Sequence, residues 1–318
     1  MNAQLARRRA IRQHELVRPV LAAFLILSAP AAAAPSVSVE RAREIVYPAP
    51  EQPPAGCASL DVRCWLSARY ASNTDAQASA LALFDEFGDV AGVEREHNME
   101  GGFRGVLHLV PAWPLAKADA KHLAWILAMQ REFAAFDAAM KARGGAAVAY
   151  RHRGIAWKFL RSVKRRTPSA YASRWEIGYN LDGSLNTSPE RVRDLLVHEI
   201  FHLNDQAHAN WSASALAPIV QRIFAKCKTN ISCLAPYAPT TMKVKGGTYY
   251  AFQPNNGNMA NEYAAELATR FFLEQRAVLR AERDAGDAFK CATAENKQAW
   301  SALSAEFFAG VDLTAPCR

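Results

Sequence analysis

The sequence predicts an α+β fold. Two short stretches, Val106 to Val110 and Tyr171 to Tyr179, have the run length and alternation of strands. Three longer stretches, opening near Asp119, Thr187 and Met259, repeat their apolar residues at helical spacing. The order is strand, helix, strand, helix, long irregular loop, helix and a helical tail, a few short strands followed by a mainly helical C-terminal part.

The first 34 residues precede the fold. Arg7, Arg8, Arg9, Arg12 and Arg18 lead into an apolar run from Val20 to Ala29, followed by small residues at Ala31 to Ala34. That order is expected of a cleaved signal peptide, with cleavage near Ala33 or Ala34. The run is half the roughly 20 residues that a spanning helix needs, so stable membrane insertion after signal removal is not expected. Five Arg and one Glu in residues 1–34 account for +4 of the formal charge of +8, leaving a mild +4 beyond them. The clusters Arg151/Arg153 and Lys164-Arg165-Arg166 are therefore read as solvated charge, and no nucleic-acid partner is expected. Composition excludes a disordered, collagen-like or repeat chain. Nothing in it fixes an oligomeric state.

All six cysteines follow the leader. An even number in an exported chain reads as disulfides, for which fifteen pairings exist. The close pairs Cys57/Cys64 and Cys227/Cys233 suggest two small loops, with Cys291 and Cys317 left to clamp the tail.

Residues 35–56 are rich in Pro and Ala and read as an extended lead segment. Gly101-Gly102 precede the Val106 strand, and Pro111 and Pro114 end it. Asp119 is placed to cap a helix carrying Leu123, Ile126, Leu127, Phe133, Phe136 and Met140 on one face, ending at Gly144-Gly145. Asp182-Gly183 turns the chain after Tyr179. Thr187 and Glu190 have capping-box spacing, with Pro189 in the first turn, so a helix is expected from about residue 188. Residues 227–258 look irregular, and the last patterned helix starts near Met259.

The chemistry lies in the second and third of these helices. His198 and His202, four apart in His198-Glu199-Ile200-Phe201-His202, project from one helix face and can grip one Zn²⁺ ion. Glu199 then faces the open side of the metal as the general base of a zinc-activated water. Val192, Leu195 and Leu196 give it an apolar surrounding that suits a base. A third ligand is required, and two residues compete. His208 has metzincin spacing, but Asp205 stands where that pattern needs Gly. Glu262, in Asn261-Glu262-Tyr263-Ala264-Ala265-Glu266, lies on the downstream helix.

HExxHxxD followed by an E-aromatic-x-A-E helix resembles the gluzincin metallopeptidases, most closely the anthrax lethal factor type of catalytic domain. The resemblance covers about seventy-five residues, with no counterpart before Tyr171. It implies a zincin-like fold over residues 101–318, with an active-site helix, a small sheet and a helical C-terminal part. Residues 35–100 would be an extension or small subdomain. It also implies Glu262 as third ligand, with Glu266 as acceptor for a ligand-histidine N–H. A tyrosine upstream of Glu262 would face the oxyanion, Tyr250 before Tyr249. Asp205 would orient a neighbouring group or cap the helix, and the strand before the HExxH helix would pair with an extended substrate. The expected function is exported zinc endopeptidase action on protein or peptide. A zinc amidase acting on cell-wall peptides, or a non-catalytic protein with a vestigial site, are the alternatives.

Overall fold

In a computed structural model, residues 36–282 and 288–318 are described. In chain order they form helices α1 (Val39–Val46), α2 (Val62–Arg69) and α3 (Thr74–Phe87), then strands β1 (Val90–Val93), β2 (His97–Glu100) and β3 (Val106–Pro111). Helix α4 (Ala120–Gly144), strand β4 (Ala156–Ser162) and the pair β5 (Ala170–Ser173) and β6 (Glu176–Asn180) follow. The remainder is helical: α5 (Pro189–Ala207), α6 (Ser212–Ala215), α7 (Ala217–Cys227), α8 (Ile231–Leu234), α9 (Met259–Leu279) and α10 (Ala294–Phe308). The α+β expectation holds. Residues 1–34, where the signal peptide is expected, lie outside the described residues. Among the described residues no helix is long and apolar enough to cross a membrane.

Strand β4 is the axis of a single mixed sheet ordered β2-β3-β4-β6-β5. Along one edge it pairs first with β1 in parallel and then with β3 antiparallel; β6 lies parallel on its other edge. Strands β1 and β2 fall within residues 35–100, so the stretch read as a separate extension shares a sheet with residues beyond 101. The lead segment also departs from an extended chain. Ser38 caps α1, accepting from the Arg41 N–H, and Ala42, Ile45 and Val46 turn a buried face onto the sheet. Contact there is close: a Cβ on Gly92 would stand 2.4 Å from the Ile45 carbonyl oxygen, so β1 admits only glycine beneath α1.

The stretch Tyr171 to Tyr179 is a hairpin, not one strand. Arg174 and Trp175 turn it with φ of 53° and 63°, the left-handed pair of a type I′ turn, and Ser173 faces Glu176. No Gly or Asn announces the turn. What stabilises it is tertiary: the Arg174 N–H donates to Gln206 of α5, and the Arg151 guanidinium lies 3.8 Å from the Trp175 ring centroid. Among the described residues strand β5 pairs only with β6, which makes it an edge strand.

The cap of α5 shifts by one residue from the expected box. Ser188 is the N-cap, accepting from the Arg191 N–H, and Pro189 is the first helical residue. Proline drives the residue before it to extended backbone, and Ser188 sits at φ −150°, ψ 161°. Asp119 does not cap α4 with its side chain; it accepts from Arg161 at 2.7 Å instead. The expected apolar face of α4 is buried as read. All three cysteine pairs, 57–64, 227–233 and 291–317, lie at bonding distance.

Asp89 joins three of these parts. Its fully buried carboxylate accepts from the Ile155 N–H at 2.9 Å, Trp157 Nε1 at 2.9 Å and Gln130 Nε2 at 2.7 Å. Burial pushes its pKa up to about 7, against the pull of those donors. Asp89→Asn turns an amide N–H toward groups that only donate. The expected loss is roughly 2–4 kcal/mol of stability, to be read from urea unfolding; a loss under half a kilocalorie would refute the linkage.

Candidate metal centre

The heart of the site is the crossing of α5 and α9. Helix α5 is registered by a buried asparagine: Asn204 Oδ1 accepts from the Arg151 N–H and its Nδ2 donates to the Arg151 carbonyl, both at 2.8 Å. Leu196, Val197, Ile200 and Phe201 are buried on the same helix. This fixes the helix about its axis and turns His198 and His202 toward α9. Helix α9 is capped by Asn258, and the buried run Tyr263 to Ala268 holds it against α5.

His198 Nε2 and His202 Nε2 are 3.1 Å apart, and Glu262 Oε2 lies 3.4 Å from the first and 3.9 Å from the second. One atom from each of His198, His202 and Glu262 falls within 4.8 Å of the others, a group able to hold a metal ion. The fit can be tested on the residues themselves. Glu262 Oε2 is buried yet has no hydrogen-bond partner, an expensive state that a cation would relieve. Two imidazoles and a carboxylate leaving an open position form the ligand set of catalytic zinc.

His208 takes no part. It ends α5, its Nδ1 lies 2.7 Å from Glu306 of α10, and its ring packs on Phe307. Asp205 does not reach the histidines either. Its buried carboxylate accepts from the N–H and the Oγ of Ser212, at 2.8 and 2.6 Å, and so starts α6. Its carboxylate thus orients a neighbouring group, Ser212 at the start of α6, while α5 itself ends at His208.

Glu266 does reach a ligand. Its Oε1 lies 3.1 Å from His198 Nδ1, one helical turn beyond Glu262. The Thr240 hydroxyl donates to its other oxygen. That chain fixes the imidazole so that Nε2 faces the metal position. Sequence reading missed Thr240, for no spacing ties it to the motif.

Burial shapes the chemistry. It pushes the Glu199 carboxyl up to about 7, with the neighbouring His198 opposing. It also pushes His202 down to about 4, aided by His198, which keeps that imidazole neutral as a ligand must be. Burial works against the Glu262 charge, but the neighbouring His198 imidazole above all, with His202 and the Tyr250 side chain, holds its pKa below the ordinary value. The Tyr250 ring centroid stands 5.9 Å from that of His198, and burial, then the Glu262 charge, push its phenol above the ordinary range. Tyr249 turns elsewhere, pairing with Lys243, whose ammonium lies 4.9 Å from its ring centroid. Two further residues beside Tyr250 went unread in the sequence: Arg104, at the tip between β2 and β3, and Asn256, just before α9.

No protein-family model, curated protein or solved structure matches the chain.

Proposed function

We propose that this protein is an exported zinc metallopeptidase that cleaves peptide bonds within a chain. One observation carries the reading: the His198, His202 and Glu262 ligand atoms lie within 4.8 Å of one another, and Glu199 occupies the next position after the first ligand. The HExxH…E order resembles that of the gluzincins. Disulfide pairing of all six cysteines suits an oxidising compartment and supports export.

A zinc ion held by His198, His202 and Glu262 would supply Lewis acidity to the scissile carbonyl and to water. The rest is the work of side chains. Glu199, with a pKa near 7 imposed by burial, accepts a proton from the attacking water and delivers it to the leaving amine nitrogen. Tyr250, kept protonated, donates its hydroxyl hydrogen to the carbonyl oxygen as negative charge gathers there. Glu266, steadied by Thr240, keeps the His198 ring aligned. The free edge of β5, beside α5, offers backbone groups to an extended peptide.

The test is metal dependence. Purified protein is expected to carry one zinc per chain, to lose peptide hydrolysis when a chelator strips the ion, and to regain it when zinc is returned. Hydrolysis that survives complete removal of metal would overturn the reading.

A further inference from the structure

Arg104 stands beside this site, on the tip between β2 and β3. It forms no ion pair among the described residues. Its guanidinium carbon lies 4.2 Å from the Phe103 ring centroid and 5.7 Å from that of Tyr250. Its Nη1 donates to Asn256 Oδ1 at 3.3 Å. Asn256 is itself nine-tenths buried, and its side chain also hydrogen-bonds Tyr250.

The backbone holds this pair in place. The Phe103 N–H donates to the Asn255 carbonyl at 2.7 Å, and Arg165 donates to the Arg104 carbonyl. Gly102 has φ +60°, and a Cβ there would stand 2.4 Å from the Asn255 oxygen, so only glycine lets the two segments close. The β2–β3 tip and the loop before α9 are thus clasped together. The charge of Arg104 is felt at both Glu199 and Tyr250.

What is offered to a ligand here is the remaining N–H groups of a guanidinium that Asn256 and the Phe103 ring hold in place. A planar anion with two oxygens fits such a set better than a neutral group does. We infer that Arg104, anchored by Asn256, forms a carboxylate-recognition site beside the metal centre, selecting peptide substrates with a carboxylate close to the scissile bond. The inference rests on the metallopeptidase reading. The carboxylate can come from an acidic side chain or from a substrate's C-terminus, and both present the same chemistry.

Binding decides it without turnover. Zinc-loaded Glu199→Gln protein would be titrated by calorimetry with short peptides that differ only in Glu or Gln at one position, each with a free or amidated C-terminus. Roughly tenfold tighter binding of a carboxylate-bearing peptide is expected, as for a hydrogen bond to a charged group. The member of the set that carries the preference names its source. Arg104→Gln should abolish the preference and Arg104→Lys retain part of it, with zinc content unchanged in both as a check on folding. Equal binding of all four peptides, binding of none, or a preference that survives Arg104→Gln would overturn the inference. If Arg104 merely braced the fold, its loss would lower zinc content or melting temperature and leave the ratio between peptides unmoved. Failure of the metallopeptidase reading appears separately, as hydrolysis indifferent to zinc.

Discussion

Glu199→Gln is expected to lower the rate of peptide hydrolysis by about 10²–10⁴-fold, the usual worth of a positioned acid–base group, while zinc content stays at the wild-type level. The two outcomes separate because Glu199 is not among the grouped ligand atoms. Glutamine keeps the size of the side chain and its place on α5 but cannot take up a proton near neutrality. The loss should fall on kcat and leave KM little changed, since the missing proton transfer belongs to the transition state. Stopped assays on a labelled peptide, run beside metal analysis of the same preparations, make the comparison. A variant with unchanged kcat would remove Glu199 from the chemistry.

Glu262→Ala should have the second large effect, on the metal itself. Losing an outer hydrogen-bond partner of a ligand costs roughly 10–100-fold in metal affinity, and losing a charged ligand should cost more. His198 and His202 alone would leave a weak site with no negative charge to oppose the ion. His208→Ala is the companion variant. Because His208 is engaged with Glu306, its replacement should leave zinc content unaltered. Competition with a chromogenic chelator would rank the three proteins. Zinc kept by Glu262→Ala and lost by His208→Ala would reverse the ligand assignment.

Those assignments divide into what local sequence can and cannot carry. The spacing of His198 and His202, the start of α9 near Met259 and the close cysteine pairs are all local, and each is readable within a few residues. The choice of Glu262 over His208 was readable because Asp205 sat badly in the pattern that His208 required. Other features depend on contacts between distant segments. The hairpin at Arg174-Trp175 is stabilised by Gln206 and Arg151, so its strands read as one continuous alternation. Strand β1 looks like part of a leading extension until β4 is beside it. Thr240 and Arg104 carry no periodic signal at all, and each reaches the site across a long loop closure. The cap moves from Thr187 to Ser188 for a different reason: the box spacing takes no account of the constraint that Pro189 imposes on its predecessor.

The amide bridge from Asn204 to the Arg151 backbone bears on how such a protein matures. It holds the histidine-bearing helix in register through hydrogen bonds that owe nothing to an ion. Chains that need metal to fold must meet it during folding. On the metallopeptidase reading, the fold and its cysteine cross-links are expected to be completed first and the ion acquired afterwards, wherever the finished protein encounters it. Zinc scarcity would then leave a reservoir of intact, inactive molecules instead of misfolded ones. Recovery of hydrolysis on returning zinc, with no refolding step, is the mark of that order of events.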